Sequence, residues 1–158
     1  MKKETKECNI LHISRTMDIG GAERIVYQLA TDLKEEFSNV HIASIGGLWV
    51  NKLKESGVLH HEIADIDSKK PKVILSVLKS LHNIIKSNKI TIIHTHHRMA
   101  AFYVRLLQYI FPHIKHIYTA HNVFYDKLFL YGFSLKRAHT VAVSQAVREN
   151  LQEDALIY

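Results

Sequence analysis

A single cysteine, Cys8, in 158 residues rules out an internal disulfide and fits a reducing compartment. The two prolines and six glycines do not gather into a linker, and no repeat or low-complexity tract divides the chain. It therefore reads as one domain, residues 1–158, long enough to enclose a sizeable core. No apolar run is long enough to span a bilayer, since Arg105 breaks the segment from Met99 to Phe111. Met1 to Asn9 mixes Lys and Glu without an apolar centre, unlike a secretory leader. These absences lead to the expectation of a cytoplasmic protein.

Several chemical signatures are missing as well. There is no G-x-G-x-x-G of dinucleotide enzymes and no G-x-x-x-x-G-K-[ST] phosphate loop. A dehydrogenase is disfavoured by the absent third glycine and by the lack of a ribose-binding acid. No carboxylate cluster at the expected strand ends could hold Mg²⁺, and Ser14 and Arg15 stand where a phosphoacceptor domain of the same sheet class would need acids. The net charge is +6, but the Lys and Arg residues are scattered. Without zinc-finger spacing, a helix-turn-helix or a basic strip interleaved with aromatics, nucleic acid is not an expected partner.

What is present is a strict alternation of strand and helix signals. Ile10–Ser14, Val40–Ile45, His60–Ala64, Ile90–Thr95, Ile114–Thr119 and Thr140–Val143 read as strands. Between them, Ala22, Ile25, Val26, Leu29, Ala30, Leu33 and Phe37 fall on one helical stripe. Val73, Ile74, Val77, Leu78, Leu81, Ile84 and Ile85 form another, with Pro71 suited to the first helical position and Ser68 or a neighbour as its cap. Less regular helices are expected over Trp49–Ser56, Met99–Ile110 and Tyr125–Phe133, and a last one follows a Ser144 cap to about Leu151. The pattern predicts an α/β, Rossmann-like, doubly wound fold: a mainly parallel sheet of six or seven strands with helices on both faces. Ligands of such sheets collect beyond the carboxyl ends of the strands.

Those ends carry the candidate chemistry. Gly20-Gly21 follows the first strand and opens a helix, so a ligand can approach the backbone where helix N–H groups and dipole favour an anion. His94, His96 and His97 end the fourth strand and His121 follows the fifth. His94 and His96 share a strand face, but no third ligand is evident in the sequence, and no metal site is expected. His96 and His97 are expected nearer the rim, available to a sugar or phosphate, with His12 structural inside the first strand.

Four segments resemble, in order, the N-terminal domain of family-four retaining glycosyltransferases of the GT-B fold. They are Gly20-Gly21-Ala22-Glu23-Arg24, Ile92-Ile93-His94-Thr95-His96, Ile117-Tyr118-Thr119-Ala120-His121-Asn122, and the run from Thr140 to Leu151. The resemblance implies two Rossmann-like domains around a cleft, the N-terminal one mainly holding the acceptor. It implies Gly20 and Gly21 beside the diphosphate of a nucleotide-sugar donor and His121 at the donor sugar as the catalytic residue. His96, His97, Arg98 and Asn122 are then acceptor-binding candidates. No metal and no cofactor are implied, the nucleotide-sugar being a substrate.

The acceptor would be a glycan or a lipid-linked sugar in surface polysaccharide or glycolipid synthesis of bacterial type. The chain ends where such proteins cross into a second, donor-binding domain, so turnover is expected only with that domain in cis or in trans. The alternative from another class is a non-catalytic module that binds an anionic sugar or a partner chain. Aromatics between Phe102 and Phe133 lie beside Arg105, Lys115, Lys127, Lys136 and Arg137. Core packing is the favoured account of them; the other is peripheral contact at the inner face of a membrane.

Overall fold

A computed structural model describes residues 8–123 and 128–153. Six strands alternate with helices: β1 (Asn9–Ile13), α1 (Gly21–Asp32), β2 (Asn39–Ser44), α2 (Val50–Glu55), β3 (Leu59–Glu62), α3 (Pro71–Ser87), β4 (Ile90–Thr95), α4 (Arg98–Leu107), β5 (Lys115–Ala120), α5 (Leu128–Leu135), β6 (Ala138–Ala142) and α6 (Gln145–Glu153). One short 3₁₀ turn, Leu33–Glu35, closes α1. Every strand pair is parallel, and the spatial order is β3-β2-β1-β4-β5-β6. The chain runs outward from β1 to β3, then returns to β4 on the other side of β1. This reversal places the switch point, the usual ligand crevice of an open α/β sheet, between β1 and β4.

Alternation along the central strands splits their side chains between two cores. On one face Leu11, Ile13 and Ile93 pack with Val77, Leu81, Ile84 and Ile85 of α3 and Tyr103, Val104 and Leu107 of α4. On the other, Ile10, Val40 and Ile42 pack with Val26 and Ala30 of α1 and with Leu53 and Met17. A third cluster joins Tyr118 and Ala120 of β5 to Tyr131, Leu135, Val147 and Leu151. These layers fix the sheet, and hence the loops at its carboxyl edge.

The ends of the elements differ from the sequence pattern by a few residues, and each difference has a local cause. Helix α3 starts at Pro71 as expected, but its cap is Lys70, which has no acceptor; the Ser68 hydroxyl instead accepts from the Lys70 N–H at 3.3 Å. Helix α4 stops at Leu107 rather than Ile110, because the N–H groups of Ile110 and Phe111 both turn back to the Leu107 carbonyl ahead of Pro112. Ser144 caps α6 through the Val147 N–H at 3.3 Å. The expected Tyr125–Phe133 helix is found at Leu128–Leu135, and its first residues lie outside the described ones.

Candidate functional site

The glycine loop stands at the switch point. Gly20 is the N-cap of α1 in extended conformation, and no side chain caps the helix. A Cβ built on Gly21 would meet nothing of the described residues within 4 Å, so among them the space before the first turn is open. Glu23 folds back beside Gly20 and accepts from the Thr16 hydroxyl at 3.1 Å, which ties the loop to the first turn. Its carboxylate suits the helix dipole and puts one negative charge at the border of an otherwise anion-favouring site.

A second loop, between β2 and α2, braces the first. The Met17 N–H donates to Gly46 O at 2.8 Å, and the Trp49 N–H donates to Met17 O at 2.9 Å. Gly47 sits at φ +144°, and a Cβ there would collide with the Met17 backbone. Only glycine permits that approach. Across the edge, the Arg15 guanidinium grips Asp65 through two bonds of 3.1 and 3.0 Å, joining the loop after β1 to the one after β3. The exposed pair adds little stability but orients both loops.

Beneath the glycine loop lies a cluster of imidazoles. Parallel register sets His12 of β1 beside His94 of β4, and His96 follows two residues on. His12 Nδ1 lies 3.2 Å from His96 Nε2, and His96 Nδ1 lies 3.3 Å from His121 Nε2. The ring of His94 packs on that of His96 at 4.1 Å, while its Nε2 meets the Thr119 hydroxyl at 2.7 Å. Burial pushes the pKa of His12 down to about 3 and that of His94 to about 4; neighbouring imidazoles push the same way. The same two causes hold His96 well below the usual histidine range. His121 is half-buried and also lowered by burial, with Glu23 opposing the shift. At neutral pH the cluster is therefore uncharged.

Two sequence expectations change here. His96 is not at the rim: it is only 7% exposed, and its two ring nitrogens face His12 and His121. A third imidazole does join His94 and His96, and it is His12; one nitrogen from each of the three lies within 4.8 Å of the others. The signal that could have pointed to it is that β1 and β4 are neighbours in a doubly wound sheet, but the register that sets His12 beside His94 is not written in the sequence. Such a trio can present nitrogen ligands to a transition metal. However, it contains no carboxylate, and the nitrogens of His12 and His96 already face each other at hydrogen-bond distance.

The remaining candidates lie on the β4–α4 side. His97 is the N-cap of α4, and its Nδ1 accepts from the Met99 N–H at 3.2 Å. This bond leaves the Nε2 of the partly exposed ring as the protonated nitrogen. Arg98 lines a cavity of about 300 Å³ with Asp67, Lys69, Met99, Phe102, Leu130, Tyr131 and Ser134. Sequence reasoning missed Asp67 and Lys69, which reach it on the loop after β3. Asn122 is exposed on the loop after β5. The structure thus gathers Gly20, Gly21, His96 and His121 around the switch point and sets His97 and Arg98 on the neighbouring loop. Of the aromatics considered for a membrane face, Tyr103 and Tyr131 are buried, whereas Phe129 is 92% exposed.

Several known structures share this architecture. A glycosyltransferase from Rickettsia africae superposes with a TM-score of 0.79 at 29% identity, covering 96% of this chain and 41% of its own. The Anabaena protein Alr3699/HepE, solved with UDP and glucose, gives 0.73 at 13% identity over 94% of this chain and 41% of its own. Acinetobacter baumannii MurG gives 0.65 at 16% identity over 85% and 41%. The chain therefore spans about two-fifths of the length of these structures. Comparison with curated proteins finds no match. The profile of Glycosyltransferase Family 4 matches residues 19–157, nearly the whole chain, and with the all-parallel sheet it establishes that the chain belongs to that family of GT-B glycosyltransferases.

Proposed function

We propose that this chain is the acceptor-side half of a retaining glycosyltransferase, moving a sugar from a nucleotide-sugar to a glycan or lipid-linked acceptor. The observation that carries the reading is the open space before Gly21 at the switch point, where an uncapped helix N-terminus awaits an anion. UDP bound by the HepE structures makes a UDP-sugar the first donor to try.

Glycosyl transfer builds negative charge on the departing diphosphate and positive charge on the sugar. The N–H groups at the start of α1 are fixed by the braced loop, so they meet that developing charge without rearranging. His121 is neutral and half-buried, and it serves as a hydrogen-bond donor to the sugar rather than as a proton shuttle to water. His97, Arg98 and Asn122 face the acceptor, with His96 acting through His121. The cavity beside Arg98 combines Met99, Phe102 and Leu130 with the charges of Asp67, Lys69 and Arg98, a lining suited to an acceptor with an apolar part and an anionic group. Neither a metal nor a cofactor has a part in this scheme.

Most of the donor contacts belong to sequence beyond this half. The site of action is the cytoplasm, with peripheral contact at the inner face of the membrane through Phe129 and its neighbours. The test is release of nucleoside diphosphate from a panel of nucleotide-sugars. The complete protein should turn over at least one donor and keep the anomeric configuration in the product, while the 158-residue chain should turn over none. Robust turnover by the chain alone, or an inverted product, contradicts the proposal.

A further inference from the structure

The three linked imidazoles carry more information than their positions. A neutral imidazole has one N–H and one lone pair, so each can donate once and accept once. His96 uses both nitrogens, one toward His12 and one toward His121. Both bonds form together only if the protons run in one direction. Either His12, His96 and His121 all carry the proton on Nδ1, or all carry it on Nε2.

The buried end selects between these. His12 is fully buried, and among the described residues its Nε2 has no hydrogen-bond partner. With protons on Nε2, an N–H would be sealed in the sheet with nothing to accept it. With protons on Nδ1, only a lone pair is left there, and unfilled acceptors are tolerated more readily than orphaned donors. The ring of His94, packed at a tilt against His96 and held by Thr119, keeps the middle member in place.

We propose that His12 and His96 are positioning residues that fix the tautomer of His121, leaving its Nδ1–H as the one hydrogen these three linked imidazoles offer a ligand. A free histidine prefers the proton on Nε2, so the sheet imposes the less common form. In this arrangement His121 is a committed donor, pre-set by residues that no ligand touches, and the proton pattern has only one free end. The tautomer assignment stands apart from the glycosyltransferase reading; only the use of the donor against a sugar oxygen rests on it.

The experiment is long-range ¹H–¹⁵N correlation of the histidine rings in the 158-residue chain, labelled on histidine and prepared with chelator. His12, His96 and His121 should show a protonated Nδ1 and a bare Nε2. In His96→Phe, His121 should revert to a mixture dominated by Nε2–H, while the signals of His41 and His116 hold as controls for folding. If His96→Phe does not fold, His12→Leu serves, with a partial reversion at His121. A protonated Nε2 on His121 in the wild-type chain overturns the proposal. So does a folded His96→Phe with an unchanged His121. With the chelator removed, added zinc should leave the rings of His12, His94 and His96 unaltered; one equivalent bound with loss of the Nδ1–H signals of His12 and His96 would overturn the proposal and make the trio a metal site instead. If the tautomers are as stated but the complete protein transfers no sugar, the functional reading fails and this one stands.

Discussion

His121 is a residue whose value depends on what lies behind it. Its Nε2 is tied to His96, and burial keeps the ring neutral, so it brings a fixed dipole to the switch point at little cost in reorganisation. Replacing it with alanine in the complete enzyme should lower kcat by about a hundredfold, the scale of losing one preorganised donor. KM for the donor should change far less if, as proposed, the contact strengthens as the leaving group departs. Steady-state kinetics with thermal unfolding on the same sample checks this. Near-normal kcat, or a loss that only follows unfolding, would make His121 a structural residue. The strand-end histidines were legible in the sequence because each ends a strong strand pattern. The burial of His96 was not, because it depends on His12 standing across from His94, a register that only strand order supplies.

At the scale of elements, the two loops at the carboxyl edge behave as one unit. Gly47 is pressed on Met17 with φ +144°, and the Trp49 N–H closes the join. Gly47→Ala should therefore destabilise the domain by about 1–3 kcal/mol from the backbone conformation, with the collision adding to it. Urea unfolding should show a lower midpoint with an unchanged slope. A midpoint equal to that of wild type would mean the loops are not coupled as described. The sequence marks Gly46-Gly47 as the end of a strand pattern, but nothing local tells that it would brace the glycine loop some 30 residues earlier; that contact is set by packing between β1 and β2. Strand and helix identities were readable throughout because the apolar periods are long and clean. Element ends were not, since caps such as Lys70 and the turn before Pro112 are decided by individual hydrogen bonds.

The whole molecule inherits an acid weakness from its histidines. His12 and His116 have pKa values lowered by burial to about 3, and His94 to about 4. Unfolded, each returns to about 6.5. Between those values the unfolded chain binds more protons than the folded one, so stability falls as pH falls. Above 6.5 both states are neutral and no penalty exists. Three such groups give a slope of about 4 kcal/mol per pH unit once the unfolded forms are protonated. Against a typical domain stability of about 5–15 kcal/mol, cooperative unfolding is expected between about pH 5 and pH 4. Near-ultraviolet circular dichroism against pH would follow it, and a native signal retained at pH 3 would mean the three are not buried neutral.

The central claim is that the space before Gly21 receives the donor diphosphate, and Gly21→Val in the complete protein tests it most directly. A Cβ at this position meets nothing of the described residues within 4 Å, and valine is a better helix former than glycine, so folding should lose little. Measured side by side, unfolding temperature should hold within a few degrees. Release of nucleoside diphosphate should fall by at least about a hundredfold, the scale of losing preorganised stabilisation of the leaving group. A folded Gly21→Val enzyme that turns over its donor at the wild-type rate would contradict the account.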